Sequence, residues 1–97
     1  MVKAYHDLYE LGYLKKGKVV EVDVSEEIEV KLMTRPEYEK FNLGLRHTYY
    51  GGLVKRVPYY IEVPFEGEFV LVIDTSINSL LGSEVESYVE VIDKEDL

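Results

Sequence analysis

The side chains best suited to chemistry fall in one run, Arg46-His47-Thr48-Tyr49-Tyr50-Gly51-Gly52. It holds a guanidinium, an imidazole and two phenols beside a double glycine. The chain has only two histidines, His6 and His47, and no cysteine. Disulfides, thiolate metal sites and cysteine nucleophiles are therefore excluded. Acid–base work would fall to His47, with His6 beside Asp7 as the second imidazole. A hydrolase also needs a nucleophile and an orienting group within reach. The sequence shows no nucleophile elbow, no HExxH and no P-loop. A histidine that holds a backbone carbonyl is the simpler reading of both imidazoles. Two histidines far apart and no EF-hand loop make a weak metal claim. The expectation is no catalytic residue, no metal and no cofactor.

The double glycine has a backbone reading of its own. Gly-Gly between two strand-like runs is a hairpin signal, because a type I′ turn needs positive φ at both central residues. Such a turn pairs Tyr50 with Leu53, Tyr49 with Val54 and His47 with Arg56. It predicts a ribbon from Arg46 to Arg56 with polar and aromatic groups on both sides, projecting from the body. Exposed mixed segments are where function tends to sit. Arg46, His47, Tyr49, Tyr50, Gly51 and Gly52 are thus the candidate residues for binding a ligand or partner. The plainer alternative is tyrosines packed at a sheet edge with wet hydroxyls.

The elements that must position this run are mostly strands. Val20, Val22 and Val24 alternate with Glu21 and Asp23; Ile28, Val30 and Leu32 alternate with Glu29 and Lys31. Tyr59-Ile61-Val63 and Val89-Val91 repeat the pattern around Glu62 and Glu90. Period two with one wet face predicts half-buried strands. Phe69–Ile73, FVLVI, does not alternate and reads as a strand covered on both faces. One segment differs. Thr34 as N-cap, Pro36 in the first turn, Glu37 three residues after the cap and Gly44 beyond the end predict a short helix over residues 35–42. Tyr38 and Phe41 share a face of it and are placed to lid the sheet. The Leu80-Leu81 pair is expected in a loop with its side chains tucked under.

At 97 residues the chain reads as one domain, residues 1–97, with a small core. Nineteen acidic against 11 basic side chains give a net charge of −8, which disfavours nucleic acid. No apolar run is long enough to span a bilayer, and the start lacks a secretory pattern. A cytoplasmic protein away from the membrane is expected. The basic residues Arg46, Lys55 and Arg56 gather locally, although mixed charge is ordinary on a surface.

The stretches LKKGKVVEVDV, VKLMTRPEYEKFNLG, RHTYYGGLVKRVP and VPFEGEFVLVID together resemble a small bacterial family, domain of unknown function 1883. The YYGG and VP…VID segments are the specific parts. The resemblance implies a jelly-roll-like sandwich and no established activity. Members look as if they can be joined to signalling domains such as TIR, which suits a recognition module. Arg46, His47, Tyr49, Tyr50, Gly51 and Gly52 match the family's most distinctive segment.

The reading is an all-β antiparallel sandwich, jelly-roll-like, with one helix at residues 35–42. It is expected to act as a binding module for a protein partner or small-molecule ligand through the Arg46–Arg56 hairpin. The alternatives are a small hydrolase-like enzyme using His47, and a structural protein that self-associates into a homo-oligomer through an edge strand.

Overall fold

A computed structural model describes residues 6–76, 81–82 and 84–97. Among the described residues there are seven strands, β1 (His6–Leu14), β2 (Val19–Val24), β3 (Ile28–Thr34), β4 (Tyr50–Val54), β5 (Tyr59–Glu62), β6 (Gly67–Asp74) and β7 (Ser87–Ile92), one α-helix, α1 (Arg35–Asn42), and a short 3-10 turn at Lys94–Asp96. The strands form two antiparallel sheets, β1-β6-β3-β4 and β5-β2-β7. This is the expected all-β sandwich; the described residues supply seven strands, where a jelly roll has eight.

The core lies where the alternating apolar residues of both sheets meet. Val20, Val22 and Val24 face Val30, Leu32, Phe69, Leu71 and Ile73. No polar or charged residue is buried among the described residues. Strand β6 has no wet face, as its continuous apolar run predicts. Phe69, Leu71 and Ile73 enter the main core, while Val70 and Val72 join Met33 in a second cluster on the outer side. Tyr38 and Phe41 of α1 cover that second cluster. Each fully buried side chain of this kind contributes about 2 kcal/mol.

Helix α1 matches its predicted bounds, but its two ends behave differently. At the C-terminus the expected glycine stop is present. Gly44 takes φ +72°, its N–H donates to the Phe41 carbonyl (3.1 Å), and the Leu45 N–H donates to the Lys40 carbonyl (2.9 Å). That pair of bonds is a Schellman motif. At the N-terminus Thr34 makes no side-chain cap bond. The predicted capping box is absent, because Glu37 is engaged with a later segment.

Strand β1 has no clear pattern in the sequence. Its pairing with β6 slips between Glu10 and Gly12, where Gly12 takes φ +78°. The bulge leaves Leu11 unpaired with β6 and shifts the period, so Tyr9 and Leu11 pack on the core on one side of the shift and Leu14 on the other. Of the Leu80-Leu81 pair, Leu80 lies outside the described residues and Leu81 is 75% exposed rather than tucked under.

The predicted hairpin does not form. Gly51 and Gly52 lie within β4, which continues through them along β3 without a register shift: Tyr50 pairs with Leu32, Gly51 with Lys31, Gly52 with Val30, Leu53 with Glu29 and Val54 with Ile28. There is no projecting ribbon, and Arg46 and Arg56 are not opposed across a turn. Both glycines do take positive φ, +128° and +154°. That need is met by a kinked edge strand instead of a turn. A Cβ on Gly51 would stand 2.5 Å from the Val30 carbonyl oxygen, whereas one on Gly52 would meet only the Tyr59 hydroxyl at 4.0 Å. Continuous pairing with β3 also puts Val54 in the core and Leu53 outside. Gly51→Ala is therefore expected to cost about 2 kcal/mol or more, and Gly52→Ala about half that. Chemical denaturation of the two variants checks this; equal losses, as a two-glycine turn would give, would contradict the kinked-strand geometry.

Candidate functional site

The chain leaves α1 at Gly44 and returns over the outer face of the four-stranded sheet before entering β4. Residues 45–49 are fixed there by side chains. Glu37 accepts the Thr48 backbone N–H (3.0 Å) and pairs with Lys40 (2.9 Å). The Lys40 ammonium first, then the Thr48 amide, holds the Glu37 carboxyl below the usual glutamate range. His47 donates its Nδ1–H to the Leu45 carbonyl (3.0 Å). This is the carbonyl-holding role anticipated for a histidine.

An aromatic row results. The His6 and His47 rings both stand edge-on to Phe41, each with centroids 5.2 Å away at 83° and 84°. Tyr38 stacks on Phe41 at 6.1 Å, and its hydroxyl meets the His6 Nε2 at 2.9 Å. Tyr49 lies 5.6 Å from His47. The Lys31 ammonium sits 4.7 Å from the Tyr49 ring centre and 5.2 Å from that of Phe41, with the Glu29 carboxylate 3.4 Å away. A cation over an aromatic face is attracted by the ring quadrupole. The two histidines, remote in sequence, thus share one platform. The second nitrogens, His6 Nδ1 and His47 Nε2, are buried without a hydrogen-bond partner among the described residues. No group of three or more metal-type ligands is found among the described residues.

The six candidate residues are therefore divided among several places. Arg46 is exposed in the loop. His47 and Tyr49 belong to the aromatic row, with Tyr49 still 39% exposed. Tyr50 turns inward, packs on the main core and meets Phe65 edge-on at 6.2 Å. Gly51 and Gly52 form the kinked strand. Sequence reading missed Lys31, Glu37 and His6 as parts of this arrangement. Lys31 sits at a wet-face position by alternation, and only the returning segment covers it.

Two features remain exposed on this side. The first is an apolar series, Leu45, Tyr49, Leu53 and Val57, recurring every fourth residue and 55%, 39%, 47% and 48% exposed. The second is charge. Lys18, Lys31, Arg35, Lys40 and Lys94 all have carboxylate partners. Among the described residues Arg46, Lys55 and Arg56 are exposed and have no ion pair, and the same holds for Lys15 and Lys16 in the turn between β1 and β2. The outer face of the three-stranded sheet is the reverse. It carries Glu21, Asp23, Glu62 and Glu90 with Tyr60 and Tyr88, and the Tyr88 hydroxyl donates to Glu90 (2.7 Å). That bond and the Glu90 charge raise the Tyr88 pKa.

Fold and site define a small antiparallel β-sandwich domain with one strapping helix and an open, basic sheet edge. Among the described residues no helix is long and apolar enough to cross a membrane. The chain belongs to the family described as Domain of unknown function (DUF1883), whose model matches residues 3–94. No curated protein and no solved structure matches it.

Two measurements probe the aromatic row. Phe41→Ala should cost about 2 kcal/mol, below the range for a fully buried phenylalanine because Phe41 is half-buried. It should also move the ring-proton resonances of His6 and His47 together; movement of one alone would break the shared platform. In the wild type, the Thr48 amide resonance should titrate with Glu37. Its midpoint should fall below the ordinary glutamate value of about 4.3. The stability from this contact is present above the unfolded-state pKa and is lost as pH falls through the lowered one. A Thr48 amide indifferent to acid, or unchanged in Glu37→Gln, would remove the contact.

Proposed function

We propose that this domain is a recognition module that takes a protein partner on the surface from Leu45 to Val57. The observation that carries the reading is a coincidence of three features on one segment. The edge strand β4 pairs with β3 alone. Exposed apolar side chains recur beside it, and three cations without ion pairs flank it. Interfaces favour aromatic and arginine contacts over bulk hydrophobicity, and Arg46 with Tyr49 supplies both. His47, Tyr50, Gly51 and Gly52 act by shaping this surface: His47 fixes the loop, Tyr50 anchors the strand in the core, and the glycines set its kink.

A library of random twelve-residue peptides displayed on phage and selected against the folded domain tests the reading. The selected peptides should shift amide resonances within residues 45–57. They should bind about tenfold or more weakly to the Arg46→Ala, Lys55→Ala, Arg56→Ala triple variant. The variant should keep its melting temperature, since all three side chains are exposed and free of ion pairs. Peptides that map elsewhere on the sandwich, or bind the variant equally well, would overturn it.

A further inference from the structure

The chemistry of the surface narrows the partner, granted that the surface is the recognition site. We infer that the partner is an extended segment alternating carboxylate and β-branched residues, added antiparallel or parallel to β4 as a fifth strand of the four-stranded sheet. Three observations lead there.

The first is backbone supply. β4 is the terminal strand of its sheet. Among the described residues its backbone bonds go to β3, and none to any loop or helix. A terminal strand presents alternate N–H and C=O groups outward, and an extended peptide satisfies them by continuing the sheet. Gly51, in the middle of the strand, is itself exposed.

The second is charge. The molecule carries −8 overall, yet the flanks of this strand hold Arg46, Lys55 and Arg56 without ion pairs among the described residues. The opposite sheet face, with Glu21, Asp23, Glu62 and Glu90, repels an acidic strand. Complementary charge speeds encounter and suppresses wrong docking. Glu26 and Glu27 line a hollow of about 190 Å³ with Val54, Lys55 and Val57. Glu26 and Glu27 also line a second hollow, with Glu29 and Asp74, beside Leu53, so the acidic preference rests on Arg46, Lys55 and Arg56 and not on the sheet face next to Leu53.

The third is the misfit of a second copy. A two-fold antiparallel pairing of β4 centred on Gly51 sets Arg46 opposite the second copy's Arg56, and like charges across a strand pair destabilise it. The features that admit an acidic strand therefore discourage self-pairing. Leu53 and Tyr49 give the added strand's apolar side chains a place to rest.

The probe is a capped octapeptide alternating glutamate and valine, titrated into the isotope-labelled full chain. Three comparison peptides go with it: lysine in place of glutamate, a scrambled order, and the parent with alternate backbone nitrogens methylated. The acidic peptide should give interstrand contacts to residues 50–54. Backbone methylation should weaken it about tenfold, through the loss of edge hydrogen bonds. Added salt should weaken it as well, since the flanking charges are exposed. The lysine peptide should not bind. Equal binding by the methylated or scrambled peptide, still mapping to residues 45–57, would overturn strand addition while leaving the recognition surface standing. Preference for the lysine peptide would overturn the acidic assignment. Sedimentation showing concentration-dependent self-association through β4 would make a second copy the occupant and end the inference.

Discussion

Strand β6 cannot be left with a wet face, and the architecture follows from that. Its side chains alternate between two apolar clusters, so something must cover each side. The three-stranded sheet covers one. The other needs a lid small enough to sit on Met33, Val70 and Val72, and α1 provides it with Tyr38 and Phe41. Because α1 follows β3 directly, the lid is also a connection. It carries the chain off the sheet, across its outer face and back to the β3 edge.

The return path creates the site. The Schellman turn at Gly44 reverses the chain, and Glu37 then takes the Thr48 amide instead of capping its own helix. A carboxylate that bonds a distant backbone N–H ties two segments together, whereas a capping box would have tied only one. His47 closes on the Leu45 carbonyl and rests on Phe41, and Tyr49 follows beneath Lys31. The rings and the cation form a rigid base for a segment with no regular structure of its own. The chain then enters β4 at Tyr50 in a fixed register, with its outer edge open.

The charge pattern fits the same division. Among the described residues, Lys18, Lys31, Arg35, Lys40 and Lys94 have found carboxylates; Arg46, Lys55 and Arg56 flanking the open edge have not, nor have Lys15 and Lys16 in the β1–β2 turn. Exposed pairs of this kind contribute little to stability. Free cations at an edge matter more for what they attract or repel. An edge so flanked resists its own copy and remains open to an oppositely charged strand.

The sequence by itself determined the layers. Alternating valines and isoleucines fix which side of β2, β3 and β5 is buried, because a one-residue slip would expose the whole set. The unbroken FVLVI run marks the doubly covered strand, and the Pro36 and Gly44 signals bound the helix. It could not show β1, whose bulge at Gly12 interrupts the period. Nor could it tell a turn from a kinked strand at Gly51-Gly52, since both ask only for positive φ. The choice fell to the tertiary structure. Pairing with β3 buries Tyr50 and Val54 against the core, a gain that no two-residue turn offers. Likewise only the folded chain could set His6 and His47 on one phenylalanine, because the contact depends on where α1 crosses the sheet, and that crossing is set by the surface β6 needs covered.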